Sequence, residues 1–98
     1  MSARAERRSR QRDADKLTQG RERLAYLEPG GDRSRPLEVE SASQVQPHAL
    51  GLPCLRCDGP NRLEEHAAVE GLRVARLACA RCGARREVWF RLAPRLPS

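Results

Sequence analysis

Ninety-eight residues with 39% hydrophobic content and three aromatics can fill one small, thin core, which excludes a large enzyme with a roomy pocket. Nineteen Lys and Arg against thirteen Asp and Glu give a formal net charge of +6, and with 33% of residues charged most of these side chains are solvated surface. Apolar runs such as Leu77-Ala78-Cys79-Ala80 stop at four residues, far below the roughly 20 that cross a bilayer, so no membrane partner is expected.

Residues 1–26 carry eight Arg or Lys and four Asp or Glu. They are rich in helix formers, but before Tyr26-Leu27 their large apolar residues are only Leu17 and Leu24, too few for a buried stripe. A basic tail, disordered or transiently helical, is the expectation. Met1 to Lys16 also lacks the apolar stretch of a secretory leader, which predicts a cytoplasmic, reducing location. Four cysteines in such a compartment call for metal, catalysis or burial rather than disulfides.

Glu28-Pro29-Gly30-Gly31-Asp32 is the clearest turn signal and marks a boundary near residue 30. Residues 27–51 read as a mildly acidic linker. Within it, 36–41 alternates apolar and polar residues as a half-buried strand does, and Pro36 suits the first position of that strand. Ser41 and Gln44 have capping-box spacing, but Pro47 is expected to cut any helix short, leaving 42–53 irregular.

Cys54-Leu55-Arg56-Cys57 and Cys79-Ala80-Arg81-Cys82 form two C-x2-C pairs with 21 residues between them. Two residues between ligands let a tight turn aim both thiolates at one point, and two such turns supply the tetrahedral ligands, at about 2.3 Å, of a structural zinc site. A four-thiolate tetrahedron also suits iron, but zinc is the better expectation because nothing here asks for redox chemistry. A thiol-redox pair would need a C-x2-C opening a helix, and both pairs sit beside β-like segments instead. Cysteines buried without metal would leave the duplicated spacing unexplained.

Three strands are predicted around the pairs: Arg62 to Val69, with Leu63, Glu65, Ala67 and Val69 on one face; Leu72 to Ala78; and Arg85 to Leu92, with Val88, Phe90 and Leu92 opposite Glu87, Trp89 and Arg91. Glu70-Gly71 provides the hairpin reversal.

In Cys54, Cys57, Cys79, Cys82 and Gly83, over roughly residues 52–93, the chain resembles the zinc ribbons. In that family two C-x2-C(-G) knuckles grip one zinc and support a three-stranded antiparallel sheet. The resemblance implies a small, metal-stabilised, mainly β fold holding one Zn2+ on those four cysteines; outside its span, composition leaves the flexible charged N-terminal tail and a short tail at 94–98. It implies little about activity, because such ribbons occur in transcription factors, ribosomal proteins, enzyme appendages and small bacterial proteins. Asp58 stands where glycine is commonest in the family.

No catalytic constellation emerges. Four thiolates close the metal shell, whereas catalytic zinc keeps an open position. His48 lies in an irregular stretch, and His66 reads as an exposed strand residue on the side of Glu64. No phosphate-binding loop or small-molecule site is evident, so the chain is expected to be non-enzymatic. It reads first as a structural module for protein–protein interaction. The alternative is a nucleic-acid or nucleoprotein-binding ribbon, which would use phosphate contacts from Arg85 and Arg91, stacking on Trp89 and the basic tail.

Overall fold

Glu70 and Gly71 both adopt positive φ, 48° and 81°, the geometry whose twist matches a two-residue hairpin. They join β2 (Asn61–Val69) to β3 (Leu72–Cys79), and β4 (Arg85–Leu92) returns antiparallel to β3. These are the strands expected from alternation, shifted by one residue at two ends. The structure is a computed structural model that describes residues 3–93, with side chains from residue 8 onward. The tail expected at 94–98 lies outside the described residues.

The sheet has four strands rather than the expected three. A short β1 (Leu37–Val39) adds in parallel to β4, pairing Leu37 with Phe90 and Val39 with Leu92, to give the order β1-β4-β3-β2. The amide of Trp89 continues this edge by donating to the Gly30 carbonyl at 2.7 Å. The segment predicted as a linker is therefore part of the folded unit.

The same holds for the stretch predicted to be irregular. Ala42–Gln44 forms a 3-10 turn and Val45–Leu50 an α-helix, here α2, in spite of Pro47. Pro47 is the third helical residue, where the backbone N–H has no intrahelical acceptor to lose. Gln44 reaches back to accept the Glu40 amide at 2.8 Å rather than completing a box with Ser41. One turn apart, Val45 and Ala49 are wholly buried against Ala75, Leu77, Val88 and Phe90, which with Val39 form the core.

On the opposite sheet face Val74 is buried beside half-buried Trp89, and Arg76 bridges Glu65 (2.7 Å) and Glu87 (3.2 Å) across three strands. The pairing of β2 with β3 slips between Leu63 and Glu65, as a bulge does when one extra residue enters a strand. This breaks the predicted set of Leu63, Glu65, Ala67 and Val69, because beyond the slip His66, not Glu65, pairs with core residue Ala75. His66 is accordingly half-buried rather than exposed, and its Nε2 is buried without a hydrogen-bond partner.

Where a disordered or transiently helical tail was expected, Ala3–Leu27 forms a continuous helix, α1. Good helix formers and a Gln11 to Asp15 side-chain bond across one turn (3.0 Å) favour it locally. Its last turns are held by the body of the protein. Ala25 is buried, Arg21 meets Asp58 at 2.5 Å, and Arg56 donates to Glu22 at 3.1 Å. Pro29 and Gly30, the latter at φ 90°, end the helix. A 25-residue helix is about 37 Å long, so the rest of α1 projects outward and the molecule measures 69 × 23 × 22 Å.

Candidate metal centre

The hairpin register brings the two C-x2-C pairs together. Asn61, directly after the first knuckle, pairs with Cys79, which opens the second. Ala80 donates to the Pro60 carbonyl at 2.9 Å, and Asn61 Nδ2 fastens the approach to the first knuckle by donating to Leu52 O at 3.0 Å.

The two knuckles share three hydrogen bonds at equivalent positions. Cys54 N donates to Gly59 O and Cys79 N to Ala84 O, both at 2.9 Å; Asp58 N donates to Cys54 O and Gly83 N to Cys79 O, both at 3.0 Å. The amides of Arg56 and Arg81 point at the sulfurs of Cys54 and Cys79, at 3.4 and 3.3 Å, and the Cys82 amide adds a further contact to Cys79 at 3.4 Å. Each turn exits through positive φ, Asp58 at 58° and Gly83 at 78°. Asp tolerates this region better than most side chains, so Asp58 occupies the glycine position without altering the turn. Gly59 is needed for closeness instead: a Cβ there would stand 3.1 Å from Cys57 Sγ and 3.3 Å from Cys79 Sγ.

All four sulfurs lie within 4.8 Å of one another, with Cys54–Cys82 at 3.6 Å and Cys57–Cys79 at 3.4 Å. Metal–sulfur bonds of about 2.3 Å in a tetrahedron place sulfurs about 3.8 Å apart. The donor set therefore fits a metal ion. Its electrostatics point the same way. The amides of Cys82 and Arg81 draw the Cys79 thiol down to about 6. The Cys57 thiol is lowered by Gly59 N–H, but the neighbouring Cys79 and burial outweigh that and push it up to about 12. Thiols this crowded do not ionise together unless a cation offsets their mutual repulsion.

Arg85, Trp89 and Arg91 share one face of β4, as alternation predicts, but each is engaged within the protein. Arg85 pairs with Glu64 at 3.3 Å, Arg91 pairs with Glu38, and the Arg33 guanidinium stacks 5.5 Å above the Trp89 ring while pairing with Glu70. His48 lies edge-on to Phe90, ring centroids 5.8 Å apart, and does not join the sulfur cluster.

Arg86 is a further residue of the site whose sequence signal is slight: alternation puts it in register with Val88 and Phe90, where an apolar residue belongs. It is half-buried and pairs with Leu77 on β3. Burial lowers its pKa, against the pull of Glu28 and Cys54. The chain matches no protein-family model, and comparison with curated proteins and with solved structures returns no match.

Proposed function

We propose that the chain is a non-enzymatic zinc-ribbon module that docks on a protein partner. The observation that carries this reading is the sulfur cluster itself, because two similarly bonded knuckles supply four thiolates for the four tetrahedral positions and leave none for a substrate or a reactive water. Bound there, Zn2+ supplies no chemistry beyond cross-linking the two turns. Zinc is favoured over iron because the centre asks for no redox change. A cytoplasmic location, where the thiols stay reduced, belongs to the same proposal.

The docking part rests on α1. Leu17, Leu24 and Leu27 are 72%, 63% and 61% exposed, and their i, i+7, i+10 spacing puts them on one side of the helix. Apolar side chains lined up in this way favour a partner with an apolar centre. Nucleic acid is the second reading. It is supported by Arg8, Arg10, Arg12 and Lys16, which are exposed on α1 and form no ion pair among the described residues, rather than by the face carrying Trp89.

Elemental analysis of purified protein should return one zinc per chain, and absence of stoichiometric metal would refute the module. Partners recovered from native extract should survive nuclease and moderate salt and should be lost with Leu24→Asp. Loss of every partner on nuclease treatment, or a steep fall in affinity with ionic strength, would transfer the assignment to nucleic acid.

A further inference from the structure

A divalent ion bound by four thiolates carries a net charge of −2, and this charge sits at the end of a small core where two of the ligands, Cys54 and Cys79, are buried. Three backbone amides reach the sulfurs of those two residues. They bring partial charges only. Solvent reaches the exposed Cys82 and half-buried Cys57, but beside the buried pair a full compensating charge is available only from a side chain, and the arginines nearby differ in how free they are to provide it.

Arg21, Arg56 and Arg85 are committed to Asp58, Glu22 and Glu64. Arg81 is exposed, and a solvated charge is screened. Arg86 is different. It is half-buried, forms no ion pair among the described residues, and lines a small cleft of about 70 Å³ together with Cys54, Asn61, Arg85 and the Glu22–Arg56 pair, whose carboxylate is already engaged by Arg56. Withdrawing a guanidinium from water without a counter-charge is unfavourable. Glu28 offsets part of that cost, and the neighbouring cluster, once anionic, supplies a second counter-charge for a guanidinium in the apolar register of β4.

We infer that Arg86 is the charge-compensating residue of the metal centre, a positioning cation that stabilises the metal-bound thiolates without ligating the ion. This rests on the reading of the four cysteines as a zinc site. The competing role for Arg86 is structural, as an anchor for the end of α1 through Glu28.

The test compares Arg86→Gln, Arg86→Lys and Glu28→Gln with the wild type in the full chain. Zn2+ affinity is measured by competition with a chromophoric chelator, and the thiolate-to-metal charge-transfer band is recorded after loading with Co2+. Arg86→Gln should bind Zn2+ at least about tenfold more weakly, the range typical of outer-shell partners. Its Co2+ band should move to lower energy, because sulfurs that lose a nearby cation hold their electrons less tightly. Arg86→Lys should restore most of both properties, and Glu28→Gln should change neither. Unchanged affinity in Arg86→Gln, an equal loss in Glu28→Gln, or weakened binding with an unmoved band would each overturn the inference while leaving the zinc site intact. A wild type that takes up no Zn2+ would overturn the site itself, and this inference with it.

Discussion

Removing the metal should unfold the protein. Among the described residues, the large apolar side chains wholly withdrawn from solvent, apart from cysteine, are Phe90, Leu77, Val45, Val74 and Val88. At about 1.5–3 kcal/mol for each full burial they contribute at most roughly 8–15 kcal/mol. Structural zinc contributes an apparent 10–16 kcal/mol or so in comparable peptides. Extracting the ion therefore takes away as much as that whole set of side chains, and about as much as the entire net stability of an ordinary domain, roughly 5–15 kcal/mol. Without the ion the knuckles lose the only link that closes all four sulfurs on one point, and the hairpin register that pairs Asn61 with Cys79 loses its lock. Excess chelator should collapse the amide dispersion of β2, β3 and β4 and reduce the far-UV helical signal, since an isolated helix such as α1 is marginal in water. Cys79→Ser should behave like the chelated wild type. A sample shown by elemental analysis to be metal-free, yet retaining the dispersed spectrum, would refute the reasoning.

Acid should weaken metal binding, because protonation competes with the ion for each sulfur. Thiols of an unfolded apo chain are protonated at pH 7, so uptake should release close to four protons; a clearly smaller release, measured by calorimetry in buffers of different ionisation enthalpy, would mean a preformed apo site, in which the Cys79 thiol is drawn down to about 6. Gly59→Ala puts a methyl 3.1–3.3 Å from two sulfurs and from Arg81 Cβ, and overpacking of this kind should cost about 1–3 kcal/mol, read as an earlier metal-release midpoint in a chelator titration; an unmoved midpoint would show that the knuckles are looser than described. Gly31→Ala would bring its Cβ to 1.9 Å from the Ala25 carbonyl oxygen, so it should unseat the end of α1 and raise hydrogen exchange around residues 21–27 while leaving metal affinity unaltered, and unchanged protection there would contradict the docking of the helix.

The sulfur site and the three long strands were legible because their causes are local. Cysteine spacing, glycine after Cys82 and alternating side chains are all visible within a few residues. What escaped has non-local causes. Arg21 and Asp58 are 37 positions apart, and Glu22 and Arg56 are 34 apart. No periodicity test on residues 1–26 could detect those partners, so a helix with too few apolar residues for a stripe read as a tail. Pro47 is a poor guide for the opposite reason: proline breaks helix interiors, and this residue lies in the first turn. The parallel seat of β1 followed from Gly30 fitting beside Leu37 and Val88, where a Cβ would stand 2.8 and 3.2 Å away. His66 was assigned to the wrong face because one extra residue near Glu64 reset the alternation, and a bulge leaves little trace in a sequence.

Asp58 links the two halves of the molecule. Its backbone fills the turn position that Gly83 fills in the second knuckle, while its carboxylate holds Arg21. Glycine at 58 would suit the backbone better but could not reach α1. The next anchor, Arg56 to Glu22, starts from the same turn. Each of these exposed ion pairs contributes only about 0–1 kcal/mol, so neither could seat the helix if the turn that presents them were mobile. Closing the turn on a metal ion would fix both acceptor and donor at once and leave Ala25 to add its buried contact. On the zinc-ribbon reading, the direction in which Leu17, Leu24 and Leu27 are presented would depend on the sulfur cluster through Asp58 and Arg56, and a partner docking on that helix would meet it in its seated position while the metal is bound.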